Sequence, residues 1–281
     1  MILLDNTQII LSTIFTQYNY SDNREELFSE DTVRHIVLNT YRFYKSKFGQ
    51  QYGNLVICDD AGDSWRKDFF PHYKASRKKT RETDGHDWSK IFDAMNKIRK
   101  EVRENFPYKV MCVERCEADD IIATLCMNYN NKEKIIIVSS DKDFQQLQRY
   151  TNVKQYSPIH KNFIYCENPQ NFLKEHILRG DTSDGIPNVL SDDDTFIVEG
   201  KRQKPLSQKK LEIIIENIPE YLKINYNRNQ KLVDLSYIPK EYTDKILSEY
   251  KLEPTVQGKE KLFEYFVKNK LSNLMEVIDE F

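Results

Sequence analysis

Four short apolar runs, at residues 2–4, 55–58, 108–113 and 135–138, each lead into acidic side chains, and helical periodicity fills the chain between them. The last run reads Ile135, Ile136, Ile137, Val138 and passes directly into Ser139, Ser140, Asp141, Lys142 and Asp143. Short β-branched runs bounded by polar residues are the pattern of strands buried on both faces. Val33, Ile36, Val37, Tyr41 and Tyr44 make one helical apolar face. Trp88, Ile91, Phe92, Met95, Ile98 and Val102 make a second, and Ile121, Ile122 and Leu125 a third. Strands alternating with helices predict an α/β fold, with a central, mostly parallel sheet and helices on both faces.

Beyond about residue 170 the strand signal fades, while residues 211–218 and 262–278 carry helical spacing. The expected organisation is an α/β domain over 1–178, with a basic region at 65–90, followed by a mostly helical subdomain over 179–281. The five cysteines form no C-x-x-C pair, which argues against a disulfide framework and for a reducing cytoplasm. The start of the chain, "MILLDNTQII", lacks a basic n-region, and no run reaches the roughly 18 apolar residues of a membrane span. The expected protein is soluble and monomeric.

In an open parallel sheet the carboxyl ends of the strands share one edge, where ligands bind. The first run ends on Asp5, and the second on Asp59 and Asp60. The third leads into Glu117, Asp119 and Asp120, and the fourth into Asp141 and Asp143. "GDTSDG" adds Asp181 and Asp184, one turn apart if that stretch is helical. Two carboxylates about 4 Å apart repel by roughly 4 kcal/mol at an effective dielectric near 20. Cations must neutralise such a crowd, and an all-oxygen donor set suits Mg²⁺ or Mn²⁺. Two such ions can clamp the attacking and leaving oxygens of a phosphodiester. Singly, the same residues also suit helix starts: Asp119 and Asp120 in a first turn, Ser140 or Asp141 as an N-cap. An aspartyl-phosphatase D-x-D is the sharper rival, but Ser139 and Ser140 separate Asp141 from its strand.

Residues 66–81 read "RKDFFPHYKASRKKTR" and carry Arg66, Lys67, Lys74, Arg77, Lys78, Lys79 and Arg81 against the one acid Asp68. Interleaved Phe69, Phe70 and Tyr73 suit a nucleic-acid strand held by phosphate contacts and base stacking. A helix would present Lys74 and Arg77, at i, i+3, to one phosphate. A second basic cluster holds Lys201, Arg202, Lys204, Lys209 and Lys210. The five histidines show no H-x-H or H-E-x-x-H spacing, so each reads as structural and no zinc site is expected.

"YKASR", "ERCEADDIIATL", "VSSDKDFQQL" and "GDTSDGIPNV" resemble the signature blocks of the flap-endonuclease, or 5′-nuclease, superfamily. "DNTQIILSTIF", "NVKQYSPIHKNF" and "KLVDLSYIP" are similar to segments of its phage ribonuclease H branch, which removes lagging-strand primers. The resemblance implies a two-metal 5′-3′ exonuclease and flap endonuclease acting on RNA–DNA and DNA duplexes, with Mg²⁺ as cofactor and Mn²⁺ as a substitute. It implies that Asp5, Asp59, Glu117 and Asp119 hold one ion, and that Asp141, Asp143, Asp181 and Asp184 serve the other. Asp120 completes the motif and is counted among the metal ligands. Asp119 and Asp141, with Lys74 and Arg77 over the scissile phosphate, would carry catalysis, and Tyr73 would stack on the terminal base. Arg66, Lys67, Lys78, Lys79 and the 201–210 cluster would bind the nucleic acid. The branch also implies branched or 5′-ended duplex substrates, host-cytoplasmic replication, and a single-strand-binding protein or clamp as partner. "NVLSDDDTFIVEGKRQKPLSQKK" departs from the pattern, because many members carry a Gly-rich duplex-gripping hairpin there. Two alternatives stay open: a PIN-type endoribonuclease, and a catalytically inactive module that holds nucleic-acid forks.

Overall fold

The computed structural model describes residues 1–20, 29–83, 85–254, 256 and 258–281. Six strands form one sheet: β1 (Ile2–Asp5), β2 (Leu55–Cys58), β3 (Lys109–Met111), β4 (Ile135–Val138), β5 (Val153–Ser157) and β6 (Asn162–Ile164). Their order is β3-β2-β1-β4-β5-β6. The first five are parallel, and β6 is an antiparallel edge strand. β1 and β4 are neighbours although β2 and β3 lie between them in sequence, so the strand order reverses there and a crevice opens at their carboxyl ends.

Helices α1 (Asn6–Tyr20), α2 (Glu30–Tyr52), α3 (Arg66–Phe69), α4 (Ser76–Thr83), α5 (Trp88–Asn105) and α6 (Ala118–Tyr129) lie between the first four strands. A 3₁₀ segment, Lys142–Arg149, follows β4. Then come α7 (Pro169–Arg179), α8 (Gln208–Glu216), α9 (Lys223–Val233), α10 (Lys240–Lys251), α11 (Glu260–Lys268) and α12 (Ser272–Met275). Among the described residues no helix is long and apolar enough to cross a membrane.

Alternation along each strand feeds two cores. Ile2, Leu4, Ile57, Ile136 and Val138 point to one, packed by α1, α2, α5 and α11. Leu3, Val56, Ile135 and Ile137 point to the other, covered by α6, the 3₁₀ segment and α10. The C-terminal helices therefore finish the two sheet faces: Phe266 is buried in the first core and Ile246 in the second.

Three local readings change. β5 and β6 carry no long apolar run, and β5 is "VKQYS" with Gln155 and Ser157 fully buried. The expected helix over 262–278 breaks after Lys268: Lys270 takes φ 55°, and Leu271 N donates to Phe266 O at 2.9 Å, closing the helix without a glycine. "GDTSDG" is a tight turn rather than a helix, closed by a bridge between Asp181 and Ile186. Gly180, its first residue, takes φ 67°, and a Cβ there would lie 2.3 Å from Ile186 O, so only glycine fits.

Candidate metal centre

Asp5 closes β1, and its Oδ2 accepts the Ser139 hydroxyl at 2.7 Å. Ser139 Oγ in turn accepts the Asp141 amide at 3.0 Å, so one serine pins acids from two adjacent strands. Burial, then repulsion from Asp60 and Asp141, pushes the Asp5 carboxyl up to about 7. Asp141 rises to about 6 through burial and through Asp143, Asp184 and Asp181. Half-buried Asp119 rises well above the usual range through burial, Asp141 and Asp5. Asp184 is also raised, by burial against the pull of Lys74 and Arg77, with Glu117 and Asp181 adding repulsion. The turn closed by Asp181 and Ile186 and the starts of α6 and the 3₁₀ segment thus meet at the carboxyl end of β1 and β4.

Asp59 is buried, and its Oδ1 accepts Asn6 Nδ2 at 2.7 Å. Its Oδ2 is buried with no hydrogen-bond partner, and its nearest cation, Arg99 Nε, is 4.0 Å away. Burial, against the lowering effect of Asn6 and Arg99, raises its carboxyl to about 6. An orphaned buried carboxylate oxygen beside other acids fits a divalent cation. Asp60, which the sequence reading left without a role, faces Asp5, and its Oδ1 accepts the Ala118 amide at 2.9 Å.

Glu117 is neutralised from within. Its Oε1 accepts Lys74 Nζ at 2.5 Å, and its Oε2 accepts Tyr73 OH at 2.8 Å and Arg66 Nη1 at 3.0 Å. Burial pushes its carboxyl up, but Lys74 and Arg66 outweigh that and hold it below the usual glutamate value. Asp184 takes Arg77 Nη2 at 2.5 Å and Tyr73 OH at 3.0 Å, with Lys74 Nζ at 3.7 Å. Lys74 is not helical as expected: it precedes α4 with φ 56°, and converges with Arg77 on Asp184 by a turn instead.

Three assignments are corrected. Asp120 is fully buried and saturated by Arg66, Trp65 Nε1 and the Glu117 amide, which leaves no oxygen for an ion. It closes a capping box at the start of α6. Arg66 is buried on Asp120, Glu117 and Leu232 O, so it does not reach a phosphate. The Tyr73 ring is buried with Phe70, Ile177 and Ile186, so it cannot stack on a base. Aromatics between basic residues look alike in sequence whether they pack inward or outward.

The remaining basic residues divide. Lys67 pairs with Asp63 at 3.1 Å on the surface. Lys201 pairs with Asp192 and Asp194, and Lys204 lies 3.8 Å from Asp192. Arg202, Lys209 and Lys210 are exposed. The side chains of Lys78 and Lys79 lie outside the described residues.

Sequence spacing missed His176. It is buried in α7, and its Nε2 lies 2.8 Å from Asp143 Oδ1 and 3.7 Å from Asp181 Oδ2. Lys142 Nζ sits 2.8 Å from the same Asp181 oxygen. The pairing joins residues 33 apart, beyond any short motif.

Beneath the acids, one stretch of backbone is held from two sides. Arg66 Nε donates to Leu232 O at 3.2 Å, while Gln146 Nε2 donates to Val233 O at 3.0 Å and Gln146 Oε1 accepts from Leu235 N at 2.9 Å.

Comparison with known proteins agrees with this architecture. A family model described as the 5′-3′ exonuclease N-terminal resolvase-like domain matches residues 1–176, and one described as the T4 RNase H C-terminal domain matches residues 170–281. The chain is 36% identical to the ribonuclease H of Enterobacteria phage T4 over 298 aligned positions, covering 99% of this chain and 95% of that protein. It is 31% identical to a flap endonuclease Xni of Shewanella woodyi, over 51% of this chain and 56% of that one. Among solved structures, the phage T5 flap endonuclease in a pseudo-enzyme–product complex with DNA and metal ions superposes with a TM-score of 0.66 at 15% identity. That match covers 89% of this chain and 99% of the other, and it shows the shared fold. Taken with the acid-lined crevice, these matches make the chain a member of the 5′-3′ exonuclease family, of the phage ribonuclease H type.

Proposed function

We propose that the chain is a divalent-metal-dependent 5′-3′ exonuclease and flap endonuclease. Its substrates are phosphodiesters of RNA–DNA and DNA duplexes, as in removal of RNA primers during phage DNA replication in the host cytoplasm. The observation that carries the reading is the crowd of raised carboxylates around Asp5, Asp119 and Asp141, beside the unpartnered Asp59 Oδ2. Asp5, Asp59, Glu117 and Asp119 are the residues that would hold one Mg²⁺, and Asp141, Asp143, Asp181 and Asp184 those that would hold the other. When bound, such ions supply a nucleophilic hydroxide and neutralise charge on the phosphate. Lys74 and Arg77 rest on Glu117 and Asp184, and they swing a short distance to the non-bridging oxygens of an arriving phosphate. Ser139 and Tyr73 fix the orientation of Asp5, Asp141, Glu117 and Asp184. Arg202, Lys209 and Lys210 bind duplex phosphates outside the crevice. The enzyme acts as a monomer on branched or 5′-ended duplexes, with a single-strand-binding protein or clamp as replisome partner.

The test is incubation of the pure protein with an end-labelled 5′-flapped duplex. Short 5′ fragments in Mg²⁺, abolished by EDTA, are expected. Preferential cutting of unstructured RNA would move the assignment to a PIN-type endoribonuclease. Tight fork binding with no cleavage in Mg²⁺ or Mn²⁺ would leave only a binding module.

A further inference from the structure

We infer that His176 supplies a nitrogen donor to the second ion position, beside Asp143 and Asp181, and that this position takes a borderline divalent transition ion in preference to Mg²⁺. The inference rests on the two-ion reading above and gives its two positions different chemistry. The donor atoms of Asp143, His176 and Asp181 lie within 4.8 Å of one another. Two ligands about 2.1 Å from one ion in adjacent octahedral positions are roughly 3 Å apart, about √2 times that bond length. The observed 2.8 Å from His176 Nε2 to Asp143 Oδ1 and 3.7 Å to Asp181 Oδ2 bracket that spacing.

The three side chains are held for this geometry. Asp181 Oδ1 is occupied by its own turn, accepting the Ser183 amide at 2.8 Å and the Ser183 hydroxyl at 2.5 Å. Only Oδ2 is left to face His176. Asp143 is the second residue of the 3₁₀ segment, and its Oδ1 meets the imidazole. His176 sits in the last turn of α7, 6% exposed, with the Phe172 ring 5.8 Å away. Its main-chain oxygen accepts the Gly180 amide at 2.9 Å, which ties the imidazole to the turn that carries Asp181. The Lys142 ammonium on Asp181 Oδ2 is half exposed on a flexible stem, so a cation can displace it into solvent.

Donor type separates the positions. Asp5, Asp59, Glu117 and Asp119 offer oxygen alone, which suits Mg²⁺. An imidazole favours Co²⁺ or Zn²⁺ and, less strongly, Mn²⁺ over Mg²⁺, because Mg²⁺ gains little from a nitrogen ligand and gives up its water reluctantly. The rival role for His176 is a hydrogen bond from Nε2–H that merely orients Asp143.

Mn²⁺ distinguishes the two, because its unpaired electrons report directly bonded nitrogen by electron spin-echo envelope modulation. The full chain loaded with Mn²⁺ is expected to show ¹⁴N modulation that converts to a ¹⁵N pattern when its histidines are ¹⁵N-labelled. His176→Gln is expected to bind Mn²⁺ without the modulation. In the same variant, the Mg²⁺ concentration that displaces half of the Mn²⁺ should fall by about tenfold. Bound Mn²⁺ with no histidine modulation in the wild type overturns the inference without any variant. Modulation that persists in His176→Gln overturns it as well. Failure of the two-ion reading itself looks different: no bound Mn²⁺ and no flap cleavage in either metal.

Discussion

The Arg66 guanidinium grips the Asp120 carboxylate with two hydrogen bonds, Nη2 to Oδ1 at 2.8 Å and Nη1 to Oδ2 at 3.0 Å. Both side chains are almost fully buried, so the pair is a fixed part of the scaffold under Glu117. Breaking a buried pair by neutralising one partner leaves the other charge stranded, at about 3 kcal/mol. Asp120→Asn is therefore expected to lower the urea midpoint markedly. Asp63→Asn, which breaks the exposed pair with Lys67, should leave the midpoint nearly unmoved. Equal effects of the two variants would contradict the structural role given to Asp120.

Asp141→Asn should separate activity from stability. Asn keeps the N-cap hydrogen bond that Asp141 Oδ1 accepts from the Asp143 amide, so the local backbone is preserved. It removes a charge that Asp143, Asp184 and Asp181 already disfavour. Flap cleavage is expected to fall by at least two orders of magnitude. The metal-free protein is expected to melt several degrees higher than the wild type in EDTA. A lower melting temperature would mean that repulsion at Asp141 is not what strains the empty site.

The second basic cluster contains two kinds of lysine. Lys201 is held by Asp192 and Asp194, while Lys209 and Lys210 are exposed on α8. Each free phosphate contact contributes about 0.9 to the slope of log affinity against log salt. The double change of Lys209 and Lys210 to Ala should weaken fork binding in Ca²⁺ and flatten that slope by about 2. The Lys201→Ala change should leave the slope within error. A larger change from Lys201 than from the α8 pair would reverse this division.

Glu101 joins α5 to α2 and α11. It accepts Arg34 Nε at 3.0 Å and Tyr265 OH at 2.7 Å. Burial raises its carboxyl, but the hydrogen bonds from Arg34 and Tyr265 outweigh it and leave the group below the usual glutamate value. A depressed folded pKa stabilises the fold above the unfolded value near 4.5, and that benefit fades as pH falls through the folded one. Glu101→Gln is therefore expected to cost about 1 kcal/mol at pH 7 and to approach the wild type by pH 3. Urea midpoints at the two pH values measure it, and a gap that widens in acid would show the wrong sign.

The sequence made the first four strands and the acids after them legible, because buried parallel strands need unbroken apolar runs. β5 was hidden because two of its four buried residues, Gln155 and Ser157, are polar: Gln155 Nε2 donates to Ser139 O at 3.1 Å and to Asp141 O at 2.6 Å. That glutamine braces the very loop that carries Asp141, so its polarity serves the site rather than the core. Asp120 and Tyr73 were read as functional because a motif gives residue types without directions. His176 escaped notice because its partners lie 33 and 5 residues away on other elements. Ser139 and Asp60 stood in plain sight close to Asp141 and Asp59, but only the folded chain shows one pinning Asp5 and the other facing it.

Residues 232–235 act as a common ruler for the two halves of the acidic crevice. Arg66, which carries Glu117 and Asp120, is fastened to Leu232, and Gln146, three positions beyond Asp143, is fastened to Val233 and Leu235. The gap between the two groups of acids is thus gauged by a few peptide units instead of by free-swinging side chains. A shift of one half would be passed to the other through that shared backbone, so the proposed spacing between the two halves of the crevice would be kept as the sheet moves.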